Sequence, residues 1–143
     1  DIEAAVIPAC IEVGATLVAY SPLGRGMLSG RFKEESLGEG DFRTLTPRFQ
    51  GKAYEANVAL VDEIEAVAAA KSCTPAQIAL AWVLGRGGHV MTIPGTTRLE
   101  NLKQNLGADE IRLSEDEQAA LDRLADRVKG DRYDERGMSI ING

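Results

Sequence analysis

The stretch "VAYSPLGRGMLSGRF", Val18 to Phe32, starts as an apolar run and breaks into a loop with three glycines and two arginines. A second stretch behaves alike: "VMTIPGTTR", Val90 to Arg98, leaves an apolar segment through proline and glycine and ends on threonines and arginine. An apolar segment of four to eight residues bounded by such turn residues reads as a strand buried in a parallel sheet. On that reading both polar loops stand at strand C-termini.

The segments around them follow one order. Residues 2–13 carry Ile2, Ala5, Val6, Ala9 and Cys10 at helical spacing, against the objection of Pro8, and Gly14 is placed as a stop. "ATLVAY", Ala15 to Tyr20, is the first strand. Residues 30–52 are polar, long and weakly periodic, a length that in compact domains belongs to functional or disordered loops. Helix resumes from Tyr54 to Lys71, with Val58, Val61, Ile64 and Val67 along one face. In "TPAQIALAWVL", Thr74 is an N-cap, Pro75 the first helical residue and Gln77 the partner in a capping box. Gly85, Gly87 and Gly88 end that helix and "HVMTI" forms the second strand. A helix with Leu99, Leu102 and Leu106 on one face then runs to Gly107. The last helix is announced by Ser114 and Glu117 and carries Leu121, Leu124 and Val128, before a polar tail. Strands alternating with helices imply βα units in a parallel sheet. Two parallel strands need neighbours, so the fold class is α/β, the C-terminal portion of a (β/α)8 barrel that is incomplete in this chain. Position 1 is Asp rather than Met and falls within a helical pattern, which suggests a larger whole.

Composition bounds the function. The 143 residues carry 44% hydrophobic residues, a globular balance. With 16 basic and 22 acidic residues the net charge is −6, which argues against nucleic acid or an anionic membrane as partner. No apolar run is long enough for a membrane-spanning helix. Cys10 and Cys73 have neither metal-ligand spacing nor a disulfide pattern; as unpaired thiols they fit a reducing, cytoplasmic compartment and act as small core residues. No metal ligand set and no Ser/His/Asp or Cys/His arrangement is recognisable. His89 precedes its strand and therefore belongs to the structural face of a barrel. Asp62, Glu63 and Glu65 read as a solvated helix face, and "ADEIRLSEDE" as capping and surface.

A barrel of this class places its functional loops at the strand C-termini, often with a phosphate site after the last two strands and at a helix N-terminus. Ser21, Thr96 and Thr97 offer hydroxyls, Gly24, Gly26 and Gly95 allow close backbone approach, and Arg25 and Arg98 offer forked cationic donors. Each loop alone is equally an ordinary turn. Tyr20 could stack a flat ring or simply pack.

Carrying these motifs together, the chain resembles the C-terminal half of an aldo-keto reductase over essentially all its length. "VAYSPLGRGMLSGRF", "TPAQIALAWVL" and "IPGTTRLENLKQNLGA" are similar to the branch related to perakine reductase and auxin-induced reductases. The resemblance implies NADP(H) held across the barrel mouth and reduction of a carbonyl substrate, an aldehyde or ketone. It implies that Ser21, Leu23 and Gly24 line the pyrophosphate, with Arg25 and Gly26 in the loop closing over it. Gly95, Thr96, Thr97 and Arg98 would surround the 2′-phosphate, Gln104 and Asn105 would meet the adenine, and Tyr20 would stack on the nicotinamide. Pro47, Arg48 and Phe49 fall in the loop that shapes the substrate pocket. Many members carry arginine where Asn101 stands, so the choice between NADPH and NADH stays open, with Arg98 the cation at the helix start. The family's catalytic Asp, Tyr, Lys and His belong to earlier strands, and no residue of this chain matches them. By itself the chain would then be inactive; the other readings are a non-catalytic nucleotide-binding or regulatory module and an inactive fragment. Oligomeric state is not legible. Incomplete neighbours should leave apolar surface exposed along Ala15–Tyr20 and Val90–Ile93.

Overall fold

The computed structural model describes residues 2–31 and 37–141. Phe32, the last residue of the opening motif, and the start of the long connection lie outside the described residues. The elements are α1 (Val6–Val13), β1 (Leu17–Ala19), α2 (Gly51–Ala70), α3 (Pro75–Leu84), β2 (Val90–Thr92), α4 (Leu99–Gly107), α5 (Glu115–Ala125) and α6 (Glu135–Ile141). Single 3-10 turns occupy Phe42–Leu45, Pro47–Phe49 and Ala108–Glu110.

β1 and β2 pair in parallel, with Leu17 opposite Val90, Val18 opposite Met91 and Ala19 opposite Thr92. Val90 is buried and Leu17, Ala19 and Thr92 are half-covered, while Val18, Tyr20, Met91 and Ile93 stand 52–57% exposed. The expectation of a strand buried on both sides therefore holds for one face only. Apolar side chains occupy both faces, as a barrel wall requires, but the other is bare in this chain. The expected exposure along the two strands is present.

The core lies in the helical layer. Leu60, Ile64 and Ala68 of α2 meet Ile78 of α3 and Leu121 and Leu124 of α5, with Trp82, Ile111 and Leu113 at the margin. Both capping boxes form: Thr74 accepts from the Gln77 amide at 3.2 Å and Ser114 from the Glu117 amide at 3.2 Å. At the other end of α3, Trp82 Nε1 donates to Asp122 at 2.8 Å and the Arg86 guanidinium lies over the indole and pairs with the same carboxylate.

Several boundaries differ from expectation. α1 begins at Val6, so Pro8 sits in the first turn, where a missing N–H breaks no helical bond. The long connection condenses into 3-10 turns, and α2 starts at Gly51, earlier than its periodicity signals. The buried face of α2 contains Asn57 beside Leu60, Val61, Ile64 and Ala68, whereas Val58 and Val67 are half-covered. The leucine face of α4 is uncovered: Leu99, Leu102 and Leu106 are 45–69% exposed. The polar tail contains α6 and turns back over the 3-10 loops.

Asn57 is the fastening of that tail. At 3% exposure its amide donates to the Arg48 carbonyl at 3.1 Å and the Lys129 carbonyl at 2.9 Å, and its oxygen accepts from the Lys129 amide at 2.8 Å. Removing it strands three backbone groups, each worth roughly 1–3 kcal/mol if left dry. Asn57→Ala should lower unfolding free energy by about 2 kcal/mol or more in chemical denaturation and speed amide exchange at Lys129. A loss of under about 0.5 kcal/mol, the level of an ordinary surface change, contradicts this assignment.

Candidate functional site

The parallel register brings the C-terminal ends of β1 and β2 side by side, and both suspect loops leave from there. After β1 the backbone turns sharply: φ is positive at Ser21 (50°), Gly24 (55°), Arg25 (58°) and Gly26 (93°). Glycine tolerates this, whereas Ser21 and Arg25 are held there at a cost of about 1–2 kcal/mol each. Ser29 Oγ donates to the Gly26 carbonyl at 2.6 Å and the Arg43 guanidinium to the Arg25 carbonyl at 3.2 Å, so the turn is braced from both sides. Arg43 is itself locked to Asp41, whose carboxyl it holds below the usual range.

After β2, Pro94 to Arg98 with Leu99 and Leu102 outline a shallow groove of about 420 Å3. Thr96 Oγ1 accepts from the Arg98 amide at 3.1 Å, folding the loop onto the start of α4. Arg98 is the N-cap residue and its side chain makes no capping hydrogen bond to the amides of the first turn. Such an end carries a partial positive charge, with Glu100 the acid in that turn. A Cβ placed on Gly95 would meet nothing within 4 Å, so its backbone lies open to an incoming group. Gln104 and Asn105 sit half-buried further along α4.

One residue that sequence reasoning passed over links the two loops. Arg31 donates to Asn101 Oδ1 at 3.2 Å, so a guanidinium from the first loop stands beside Asn101 in the first turn of α4. Its place directly after Gly30, in a loop already marked by Arg25, was the available signal.

Arg25 turns the other way. Its guanidinium lies 5.0 Å from the Phe42 ring centre and 4.6 Å from that of Tyr133, and donates to the Arg132 carbonyl at 3.0 Å. Tyr20, at the end of β1, has its hydroxyl 3.4 Å from that of Tyr133. Arg48 donates to the Gly130 carbonyl at 3.1 Å, and Phe49 is buried with Met27 and Val61 beneath the loop. Gly130 (φ 82°) is where chain crosses chain: a Cβ there would lie 3.0 Å from the Pro47 carbonyl carbon. Burial first, and then the guanidinium groups of Arg132 and Arg25, press the Arg48 pKa down. Three cationic side chains thus gather at the β1 mouth of a chain whose net charge is −6.

His89 is exposed just before β2, on the opposite side from these loops, and its carbonyl accepts from the Leu17 amide at 2.7 Å. A larger depression, about 610 Å3, lies where α3 leads toward the start of β2, lined by Leu84, Ala108, Ile111 and Gln118 among others. Among the described residues no cluster of three or more His, Cys, Asp or Glu side chains could hold a metal. No single described helix is long and apolar enough to cross a membrane.

The model of the Aldo/keto reductase family matches residues 1–126. The chain belongs to that family. Among solved structures it is similar to a glycerol dehydrogenase from Gluconobacter oxydans, at 27% identity and a TM-score of 0.77, over 94% of this chain and 41% of that one. It is also similar to a thermostable aldo-keto reductase solved in complex with the inhibitor epalrestat, at 35% identity and a TM-score of 0.53, over 82% of this chain and 32% of that one. The chain thus spans well under half the length of these relatives, and its α/β fold is a partial (β/α)8 barrel.

The tyrosine pair has a testable electrostatic signature. The Tyr20 hydroxyl, then Arg25, stabilise the Tyr133 phenolate and pull its pKa below the ordinary tyrosine value; the same bond, followed by burial, raises Tyr20. On raising pH, Tyr133 should ionise first and Tyr20 later, and Tyr133→Phe should remove the early phase of the phenolate absorbance change. If the phenol lost in Tyr133→Phe is one that ionises at or above the ordinary tyrosine value, the pairing is contradicted.

Proposed function

We propose that this chain is the cofactor-binding, C-terminal part (residues 1–143) of a single barrel domain that reduces aldehydes or ketones with NADP(H). The observation that carries this reading is the pair of strand-end loops set side by side. The second opens into a helix whose first turn has no side-chain cap, with arginines from both loops at hand. An uncapped helix start, an open Gly95 and the Arg98 guanidinium form a donor set suited to a phosphate group.

In this reading Gly95, Thr96, Thr97 and Arg98 hold the 2′-phosphate, with Arg31 beside Asn101 as the added cation. Ser21, Leu23 and Gly24 line the pyrophosphate, and Gly26 lets the Arg25 loop close over it. Gln104 and Asn105 take the adenine, and Tyr20 supplies the face on which the nicotinamide rests. Arg48 and Phe49 shape the substrate side indirectly: Phe49 roots the loop in the core and Arg48 holds the returning tail. When bound, NADPH supplies a hydride for the carbonyl carbon. The work of this chain is to bind and orient the cofactor and to concentrate positive charge around its phosphates. The proton donor and the residues that polarise the carbonyl belong, on the family resemblance, to earlier strands. Two unpaired, half-buried cysteines suit a cytoplasmic setting.

Arg98→Ala in the complete barrel protein separates the two cofactors. It should weaken NADPH roughly tenfold or more, the worth of one charge-assisted contact, and leave NADH within about twofold. Equal losses for both remove Arg98 from the 2′-phosphate.

A further inference from the structure

The segment after α5 crosses the mouth of β1 as a strap, anchored on helix α2 through Asn57 and fastened beyond it to residues of the candidate site and its supporting loops. Asn57 holds Lys129, Arg48 holds the Gly130 carbonyl, Arg25 holds the Arg132 carbonyl, and Tyr133 meets both Arg25 and Tyr20. The sequence separations are 72, 82, 107 and 113 residues, so none of these contacts follows from local propensity. The glycine at 130 is demanded by the close crossing over Pro47 and Arg48.

Tyr20 follows the last residue of β1, and its side chain is 53% exposed. The described contact that restrains its hydroxyl is the one to Tyr133. Tyr133 is in turn oriented by Arg25, which lies over its ring and is clamped on its other side by Phe42.

We propose that Tyr133 is a positioning residue: fixed by Arg25 and the strap, it holds the Tyr20 ring as a preset platform for the nicotinamide. The proposal rests on the function given above, because the platform has a use only if a flat ring is bound there. Physically, Tyr133 removes a rotational freedom of Tyr20 before binding, so less ordering remains when the cofactor arrives. The Tyr133 hydroxyl does the pinning; its ring on Arg25 aims that hydroxyl. The two contributions are separable, since Tyr133→Phe keeps the ring and loses the pin, while Tyr133→Ala loses both.

The test is an NADPH titration of wild type, Tyr133→Phe and Tyr133→Ala in the complete barrel protein, following the emission intensity and anisotropy of the bound nicotinamide. Tyr133→Phe should lower the anisotropy of bound NADPH and raise Kd by about two- to threefold, the cost of ordering Tyr20 on binding. Tyr133→Ala should lower it further and raise Kd by about three- to fivefold, the scale of one lost ring contact. A strap with a merely structural role would shift the melting temperature and leave the bound-ring emission untouched; that result overturns the proposal. If wild type binds no NADPH, the proposed function falls and the platform with it. If wild type binds and both variants match it in emission and affinity, the positioning role alone is refuted.

Discussion

The pairing of Leu17–Ala19 with Val90–Thr92 is the constraint on which the rest depends. Parallel strands require a crossover, and here the crossover contains α2 and α3, whose packing against α5 supplies the main core. Because both strands run the same way, their C-terminal ends emerge together. The two polar loops, 70 residues apart at Arg31 and Asn101, come within one hydrogen bond of each other. A slip of one residue would swap the faces of β2 and turn Val90 away from the helices.

That arrangement divides the labour. The helical layer is finished on its inner side: Ile78, Leu80 and Val61 are at most 1% exposed. The sheet is finished on one face only. Val18, Met91 and Ile93 present to solvent the kind of side chains that fill a barrel lumen, and Leu99, Leu102 and Leu106 leave the flank of α4 open. Cationic groups collect at the mouth, where Arg25, Arg48 and Arg132 lie close together, despite an overall acidic chain. Local charge, rather than net charge, is what an anionic cofactor meets.

Much of this was legible because it is written locally. The capping boxes at Thr74/Gln77 and Ser114/Glu117 and the apolar run before Ser21 follow from spacing within a few residues, and the uncovered strand surface follows from two parallel strands lacking neighbours. What escaped is written at long range or at element ends. Asn57 looked like one more polar residue in a helix, and only the return of Lys129 gives its three bonds partners. Tyr133 and α6 lay in a tail with no apolar periodicity, held by contacts to Tyr20 and Arg25. The start of α2 at Gly51 and the late start of α1 at Val6 depend on turn geometry, not on hydrophobic pattern. The motif residues Ser21 to Gly26 and Gly95 to Arg98 were recognised by residue type. Their strained backbone and uncapped helix start are what make that residue choice physically intelligible.

The most direct measurement is amide hydrogen exchange of the complete barrel protein with and without saturating NADPH. If the two strand-end loops form the cofactor site, protection should concentrate at residues 21–26 and 95–101 and leave the surface of α5 unchanged. Protection confined to other segments, or none at saturation, would contradict the assignment of these loops.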